Sequence, residues 1–127
     1  MANDLFLVID DDPDGAEVVQ LLLESMGSKC IVVYDAFAAL DELQRDVTRF
    51  KAAVVDLALP EMDGFQFSQA VRKTPEFAHL PLIAVTAYHT PELRVKCLDQ
   101  GFDAYFPKPL NTAIFSAALD NVLQSRS

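Results

Sequence analysis

Cysteine is scarce in this sequence of 127 residues, and long apolar runs are absent. The two cysteines, Cys30 and Cys97, are too few for a disulfide framework and lack metal-binding spacing. We therefore expect reduced thiols that pack as small hydrophobic side chains. No apolar run approaches the roughly 20 residues of a membrane-spanning helix, and residues 1–4 lack the basic start of a secretory signal. These absences predict a cytoplasmic protein that does not enter a membrane.

Basic residues are also few. The chain has 10 lysines and arginines against 19 aspartates and glutamates, which gives a formal net charge of -9 at pH 7. Such a charge repels the phosphate backbone of nucleic acids and the surface of anionic lipids. We therefore expect no direct binding to nucleic acid, whereas an acidic site that binds a cation is compatible with the composition.

The composition is otherwise that of an ordinary folded domain. Apolar residues make up 51% of the chain and charged residues 23%, and nine phenylalanines are present. This apolar content is too high for an intrinsically disordered protein, and the length is close to the commonest domain size. We expect residues 1–127 to form a single domain around a hydrophobic core.

Five short apolar runs predict β-strands. Four of them are rich in β-branched residues and lack polar alternation, which is typical of strands that are buried on both faces of a parallel sheet; the fifth is weaker. The runs are Leu5–Ile9, Cys30–Val33, Ala52–Val55, Leu82–Val85 and Ala104–Phe106.

Five stretches with apolar residues at helical spacing lie between and after these runs. Regular alternation of strand and helix is typical of βαβ units. It predicts an α/β fold, a flavodoxin-like doubly wound five-stranded parallel sheet in the order 2-1-3-4-5 with five helices. Ligands of such sheets bind beyond the carboxyl ends of the strands, here between strands 1 and 3. The positions that define the helices are Ala16, Val19, Leu22, Leu23 and Met26; Phe37, Leu40 and Leu43; Phe67, Ala70 and Val71; Leu93, Cys97 and Leu98; and Ile114, Ala117, Ala118, Val122 and Leu123.

Chemically active side chains follow several of the predicted strands. Strand 1 runs into Asp10–Asp12, and strand 3 runs into Asp56. Thr86 ends strand 4, and Lys108 follows strand 5. Crowded carboxylates repel one another unless a cation neutralises them, and ligands that are all oxygen favour Mg²⁺. With a hydroxyl and an ammonium group at the same edge, these residues suit phosphoryl transfer to an aspartate nucleophile.

Four segments combine these residues with their neighbours: Leu7–Pro13, Val54–Gly64, Ile83–Ala87 and Gly101–Pro109. In this order they resemble the receiver domains of bacterial two-component response regulators, including those of the chemotaxis-regulator kind, over essentially the whole chain. The resemblance implies that Asp56 takes a phosphoryl group from a sensor histidine kinase or a histidine phosphotransfer protein. It also implies a signalling domain rather than an enzyme, with its own phosphorylation and dephosphorylation as its only reactions.

The resemblance further implies a Mg²⁺ site. Asp11 and Asp56 are the expected direct ligands, together with the backbone carbonyl of Ala58, which needs no particular side chain. Asp10 is expected to act mainly through a metal-bound water. In such domains Ala58 and Tyr88 occupy the positions that tune the lifetime of the phosphoryl group, and an alanine cannot orient an attacking water. We expect a phosphoryl group that is not unusually short-lived.

A conformational switch is implied as well. Thr86 is expected to hydrogen-bond the phosphoryl group, and Lys108, which precedes a cis peptide bond in the family, to pair with its charge. Movement of Thr86 opens space into which Tyr105 rotates, and this changes the surface of the fourth helix, fifth strand and fifth helix. We expect this face to contact a downstream protein or a dimer partner. The residues around which this face is expected are Leu93, Tyr105 and Phe106, and their apolar side chains are equally compatible with a place in the core.

Two other functions are compatible with parts of the sequence. One is a phosphatase of the haloacid-dehalogenase type, in which Asp10 is the nucleophile and Asp12 the general acid. That family needs two closely spaced acids after the lysine, and beyond Lys108 the chain offers only Asp120. The other is a degenerate receiver-like module that only binds protein, although such a module has no need to keep mutually repelling acids together.

Overall fold

The computed structural model describes residues 5–126, in which five β-strands alternate with five α-helices. A short 3₁₀ helix, Val47–Arg49, precedes the third strand. Within residues 5–126, no helix combines the length and the apolar character needed to cross a bilayer. The strands are β1 (Leu5–Ile9), β2 (Lys29–Val33), β3 (Phe50–Asp56), β4 (Leu82–Thr86) and β5 (Ala104–Pro107). The helices are α1 (Pro13–Ser25), α2 (Ala36–Asp46), α3 (Gly64–Lys73), α4 (Pro91–Asp99) and α5 (Thr112–Arg126).

The sheet has the predicted topology. All strand pairs are parallel, and the order is β2-β1-β3-β4-β5. Ile9 pairs with Val55, and Asp56 pairs with Val85, so β1, β3 and β4 end side by side. Side chains that follow these three strands therefore meet at one edge of the sheet, on either side of the point where the strand order reverses.

Apolar side chains divide between two cores because successive strand residues point to opposite faces of the sheet. On one face, α1 and α5 cover side chains such as Phe6 and Val8 of β1. On the other face, α2, α3 and α4 cover Leu7, Ile9 and Tyr105. The five helices thus form the two outer layers of a doubly wound fold.

The predicted apolar face is wrong in part for three helices, one of which is α4, where Leu98 is exposed. On α5, Ile114 is 62% exposed, whereas Phe115 is 0% exposed and packs in the core with Leu119. On α2, Phe37 is exposed, and the buried positions include Ala39. All three helices carry apolar residues on more than one face, so spacing alone does not select the face that the sheet covers.

The strand β2 is less buried than its sequence predicts. Its residues are exposed or half-buried, although the run from Cys30 to Val33 is entirely apolar. The strand lies at the edge of the sheet and pairs with β1 alone, which leaves its outer side uncovered. Cys30 is accordingly half-buried and Cys97 fully buried, and both are free thiols, as expected. Burial raises the pKa of each thiol to about 11.

Candidate functional site

Asp56 is the last residue of the central strand β3, and its side chain is largely buried. The backbone N–H of Ala58 donates a hydrogen bond to Oδ1 of Asp56 at 2.9 Å. Beyond Asp56, the N–H of Leu57 donates to the carbonyl of Val85, and the N–H of Gly64 donates to the carbonyl of Leu57. Position 64 requires glycine, because a Cβ atom there would lie 2.9 Å from the Cα of Leu57. The backbone on both sides thus fixes the Asp56 carboxylate at the sheet edge.

Asp10 and Asp11 follow the neighbouring strand β1. Asp10 is buried, and its Oδ1 accepts a hydrogen bond of 3.0 Å from the backbone N–H of Asp12. Asp11 is exposed. One carboxylate oxygen from each of Asp10, Asp11 and Asp56 lies within 4.8 Å of the others. The structure therefore brings together the three predicted acids, and their oxygens form a donor set that suits a hard divalent cation.

Lys108 joins two of these acids. Its Nζ lies 3.0 Å from Oδ2 of Asp10 and 3.2 Å from Oδ2 of Asp56. Its backbone N–H donates to the carbonyl of Thr86 at 2.8 Å, which ties the segment after β5 to the end of β4. The Lys108-Pro109 peptide bond is cis, as expected.

The charges at this edge shift two pKa values. Burial raises the pKa of Asp10, and the charge of Asp56 adds to the rise; the Asp12 amide and Lys108 oppose it without cancelling it. Burial alone lowers the pKa of Lys108, but its hydrogen bond to Asp10 and the charge of Asp56 outweigh burial and raise that pKa above its usual range. The amine therefore stays charged at neutral pH, whereas Asp10 is held closer to its neutral form than an ordinary aspartate.

Thr86 is the last residue of β4 and is buried. Its Oγ1 accepts a hydrogen bond of 3.0 Å from the backbone N–H of Tyr88. Because a hydroxyl has both a donor and acceptor sites, this bond leaves the Thr86 proton available to a second partner. The side chain of Tyr88 is 74% exposed.

Tyr105 and Phe106 belong to the core, the second of the two places that the sequence left open for them. Tyr105 is 6% exposed, and Phe106 is also buried, because the side chains of β5 enter the two cores on opposite faces of the sheet. Leu93 is half-buried. The exposed apolar side chains of this face instead come from its helices: Val95, Leu98 and Ile114.

Two features near the site have no counterpart in the sequence predictions. His89, in the loop between β4 and α4, contacts the hydroxyl of Tyr105. Gly15 lies in the first turn of α1, and a Cβ atom there would lie 2.7 Å from Oδ2 of Asp10 and 3.2 Å from Nζ of Lys108. The signal for Gly15 is present in the sequence, since a glycine inside a helix is costly and often has a packing or functional reason.

The roles that a phosphatase would need are not favoured by this geometry. Asp12, the expected general acid, is exposed, and its side chain caps α1 by accepting a hydrogen bond from the backbone N–H of Asp14. Asp120 is exposed on α5. Asp10 and Asp56 are both buried beside Lys108, and of the two it is Asp56 that ends the central strand β3.

Known proteins resemble this chain over most of its length. The sequence profile of the response regulator receiver domain matches residues 6–120. An uncharacterized 14.6 kDa protein from Leptolyngbya boryana is 42% identical over 105 residues, which cover 83% of this chain and 79% of that protein. The sensor histidine kinase GacS of Pseudomonas protegens is 34% identical over 108 residues, which cover 83% of this chain but only 12% of the kinase.

A solved structure supports the same assignment. The response regulator receiver domain protein (CheY-like) from Methanospirillum hungatei superposes with a TM-score of 0.84 at 26% identity, covering 98% of this chain and 96% of that one. The family match spans most of the sequence and includes the strand ends that carry Asp10, Asp56 and Thr86. The chain therefore belongs to the response regulator receiver domains, a family of signalling domains of two-component systems rather than of classical enzymes.

Proposed function

We propose that this receiver domain is phosphorylated on Asp56 and transmits that modification through the face formed by α4, β5 and α5. One observation supports the proposal above all: Nζ of Lys108 lies 3.2 Å from Oδ2 of Asp56 at the end of the central strand. A carboxylate beside a fixed cation and further oxygen ligands has what a phosphoryl acceptor requires, namely a nucleophile and balancing positive charge.

The proposed phosphodonor is a phosphohistidine on a sensor histidine kinase or on a histidine phosphotransfer protein. A carboxylate oxygen of Asp56 attacks phosphorus, and the P–N bond breaks with its electron pair passing to the imidazole nitrogen. The product is an acyl phosphate on Asp56. Water later cleaves it to the free carboxylate and inorganic phosphate, so the reactions of the chain are its own phosphorylation and dephosphorylation.

The added phosphoryl group needs partners for its negative charge, which is larger than that of a carboxylate. Lys108 supplies one, because its amine stays protonated at neutral pH beside Asp10 and Asp56. Thr86 supplies another, since its hydroxyl proton is available to donate while its oxygen accepts from the Tyr88 amide. Thr86 ends β4, which lies next to the strand that carries Asp56, and Lys108 reaches Asp56 from the segment after β5.

The residues proposed to hold Mg²⁺ are Asp10, Asp11 and Asp56, together with the backbone carbonyl of Ala58. The donor atoms are all oxygens, and within residues 5–126 the ammonium group of Lys108 pairs with two of the three clustered carboxylates. This donor set fits a hard divalent cation, with Asp10 acting mainly through a bound water. When bound, Mg²⁺ supplies charge neutralisation for the phosphoryl oxygens.

Phosphorylation is proposed to draw Thr86 toward the phosphoryl group and to favour the buried position of Tyr105. The exposed apolar residues Val95, Leu98 and Ile114 then supply the contact surface for a downstream protein or for a second copy of the chain. We propose the same single receiver domain for all of residues 1–127, of which residues 1–4 and 127 lie outside the described range. The free thiols Cys30 and Cys97 fit a cytoplasmic location.

Labelling with acetyl phosphate and mapping of the modified residue test the proposal. We expect Mg²⁺-dependent label on Asp56, its loss in Asp56→Asn, and its retention in Asp120→Asn, which removes an exposed acid far along the chain. Label on Asp10 would instead indicate the phosphatase chemistry. Folded protein that neither binds Mg²⁺ nor takes up label would identify a module that only binds protein.

A further inference from the structure

The hydroxyl group of Tyr105 is bonded to a side chain from another element. Its oxygen lies 2.9 Å from Nδ1 of His89, in the loop between β4 and α4. The two ring centroids are 5.5 Å apart, with the rings tilted by 47°. Tyr105 is buried, whereas His89 is exposed, so the imidazole covers the polar end of a ring that otherwise lies in the core.

Burial of a tyrosine ring without a partner for its hydroxyl is unfavourable, because the hydroxyl loses its hydrogen bonds to water. The backbone amide of Thr90 also interacts with this hydroxyl, and the bond to His89 removes a further part of the cost for the buried ring. A ring turned outward meets water instead and does not need the histidine. The contact therefore stabilises one of the two ring positions selectively, which is the condition for shifting an equilibrium between them.

We propose that His89 is a positioning residue for Tyr105, and that its imidazole sets the balance between the buried and the outward position of the tyrosine ring. The inference rests on the proposed function, because it names the residue through which the switch at Thr86 and Tyr105 is biased. The imidazole acts as a hydrogen-bonding partner only, and no bond forms or breaks.

The loop that carries His89 is connected to Thr86 by backbone contacts. The N–H of Tyr88 donates to Oγ1 of Thr86 at 3.0 Å, and Tyr88 directly precedes His89. Thr90, directly after His89, caps α4 by accepting a hydrogen bond of 3.0 Å from the N–H of Leu93. The loop is therefore held at Tyr88 by Thr86 and at Thr90 by the first turn of α4. A shift of the Thr86 hydroxyl moves the segment between these two residues, which contains His89.

The tyrosine content of the chain allows the ring position to be measured directly. The chain has no tryptophan and three tyrosines. Tyr34 is 52% exposed and Tyr88 is 74% exposed, so Tyr34→Phe and Tyr88→Phe remove the two exposed emitters. Tyr105 then remains as the single tyrosine, and quenching of its fluorescence by acrylamide reports how much of the ring population is exposed.

In this background we expect weak quenching with His89 present and clearly stronger quenching in His89→Ala. Loss of one ordinary hydrogen bond corresponds to a change of about fivefold in the ratio of buried to outward rings. His89→Asn should restore weak quenching, because an asparagine amide oxygen falls near the position of Nδ1 and accepts a hydrogen bond. His79→Ala is the matched control. It removes the other histidine, which precedes the amino end of β4, whereas the site lies at the carboxyl end, and it should leave quenching unchanged.

Acetyl phosphate labelling of protein that keeps Tyr34 and Tyr88, with and without the His89 substitutions, separates failure of this inference from failure of the proposed function. Absence of label on Asp56 with His89 present overturns the proposed function, whereas the quenching series alone decides the ring position. Label on Asp56 with equal quenching in His89→Ala and the parent overturns the inference, and so does equally strong quenching in the alanine and asparagine variants. With Tyr105→Phe, which lacks the hydroxyl, His89→Ala should cause no further change in labelling rate; a further change of several-fold counts against the inference.

Discussion

At the scale of single residues, the missing side chain at position 15 allows Lys108 and Asp10 to meet. A Cβ atom at this position would lie 2.7 Å from Oδ2 of Asp10, which is buried and cannot swing freely into solvent. We therefore expect Gly15→Ala to displace the carboxylate or the amine and to slow Mg²⁺-dependent labelling of Asp56 by about tenfold or more. Initial rates of labelling by acetyl phosphate measure the effect.

The control for Gly15→Ala is Leu21→Ala, which alters an exposed position on the same helix. Its labelling rate should match that of the parent. The free energy of unfolding of Gly15→Ala should change by no more than about 1 kcal/mol, because the better helix propensity of alanine offsets part of the steric strain. Unchanged labelling in Gly15→Ala would show that the space left by the missing side chain beside Asp10 is not needed for phosphorylation of Asp56.

The sequence predicts most of the acidic site but not its surroundings. Asp10, Asp56 and Lys108 each lie at or just after the carboxyl end of a strand in a parallel sheet. Because these ends lie at the same edge of the sheet, spacing and topology are sufficient to predict that the three residues come together. Gly15 and His89 act across contacts between elements that are distant in the chain. The local sequence pattern does not indicate which atoms lie beside Gly15 and His89. The packed structure is needed to identify these neighbours.

At the scale of elements, the rotation of α5 about its own axis is the feature that periodicity predicts least well. The predicted face includes Ile114 and Ala117, which are exposed, and omits Phe115, which is fully buried against the sheet and Phe106. Strand positions are predicted well, since a run of β-branched residues that is covered on both faces has no other stable arrangement. A helix covered on one face, with apolar side chains around much of its circumference, can pack in several rotations.

Substitutions of the neighbours Ile114 and Phe115 test this rotation. Phe115→Ala should lower the free energy of unfolding by about 3–5 kcal/mol, because it removes a fully buried aromatic side chain and leaves a cavity. Ile114→Ala should change it by no more than about 0.5 kcal/mol, since most of that side chain is in water. Urea denaturation of the two variants measures both values, and the reverse order would mean that α5 packs by its other face.

At the scale of the whole molecule, the chain has more acidic than basic residues, and three of its carboxylates cluster at one edge of the sheet. The net charge is -9, and Asp10, Asp11 and Asp56 cluster at this edge, where the amine of Lys108 pairs with Asp10 and Asp56. Burial raises the pKa of Asp10, so the folded state holds a proton on this residue at pH values where the unfolded chain has lost it. Without metal, this residue therefore makes stability fall as the pH rises from its unfolded value through its raised folded value.

The stabilisation that Mg²⁺ binding provides should increase as the pH rises, because the metal and the proton compete for the same carboxylate. Because the pKa of Asp10 is raised, we expect the increase in melting temperature caused by Mg²⁺ to be smallest at the acid end of a series from about pH 4 to about pH 8 and to grow with pH. Calorimetric scans with and without Mg²⁺ across this range measure the effect. In Asp10→Asn, which has no proton to lose at this position, the growth with pH should be weaker. An increase of the same size at both ends of the range in the parent protein would rule out Asp10 as the group that couples metal binding to pH.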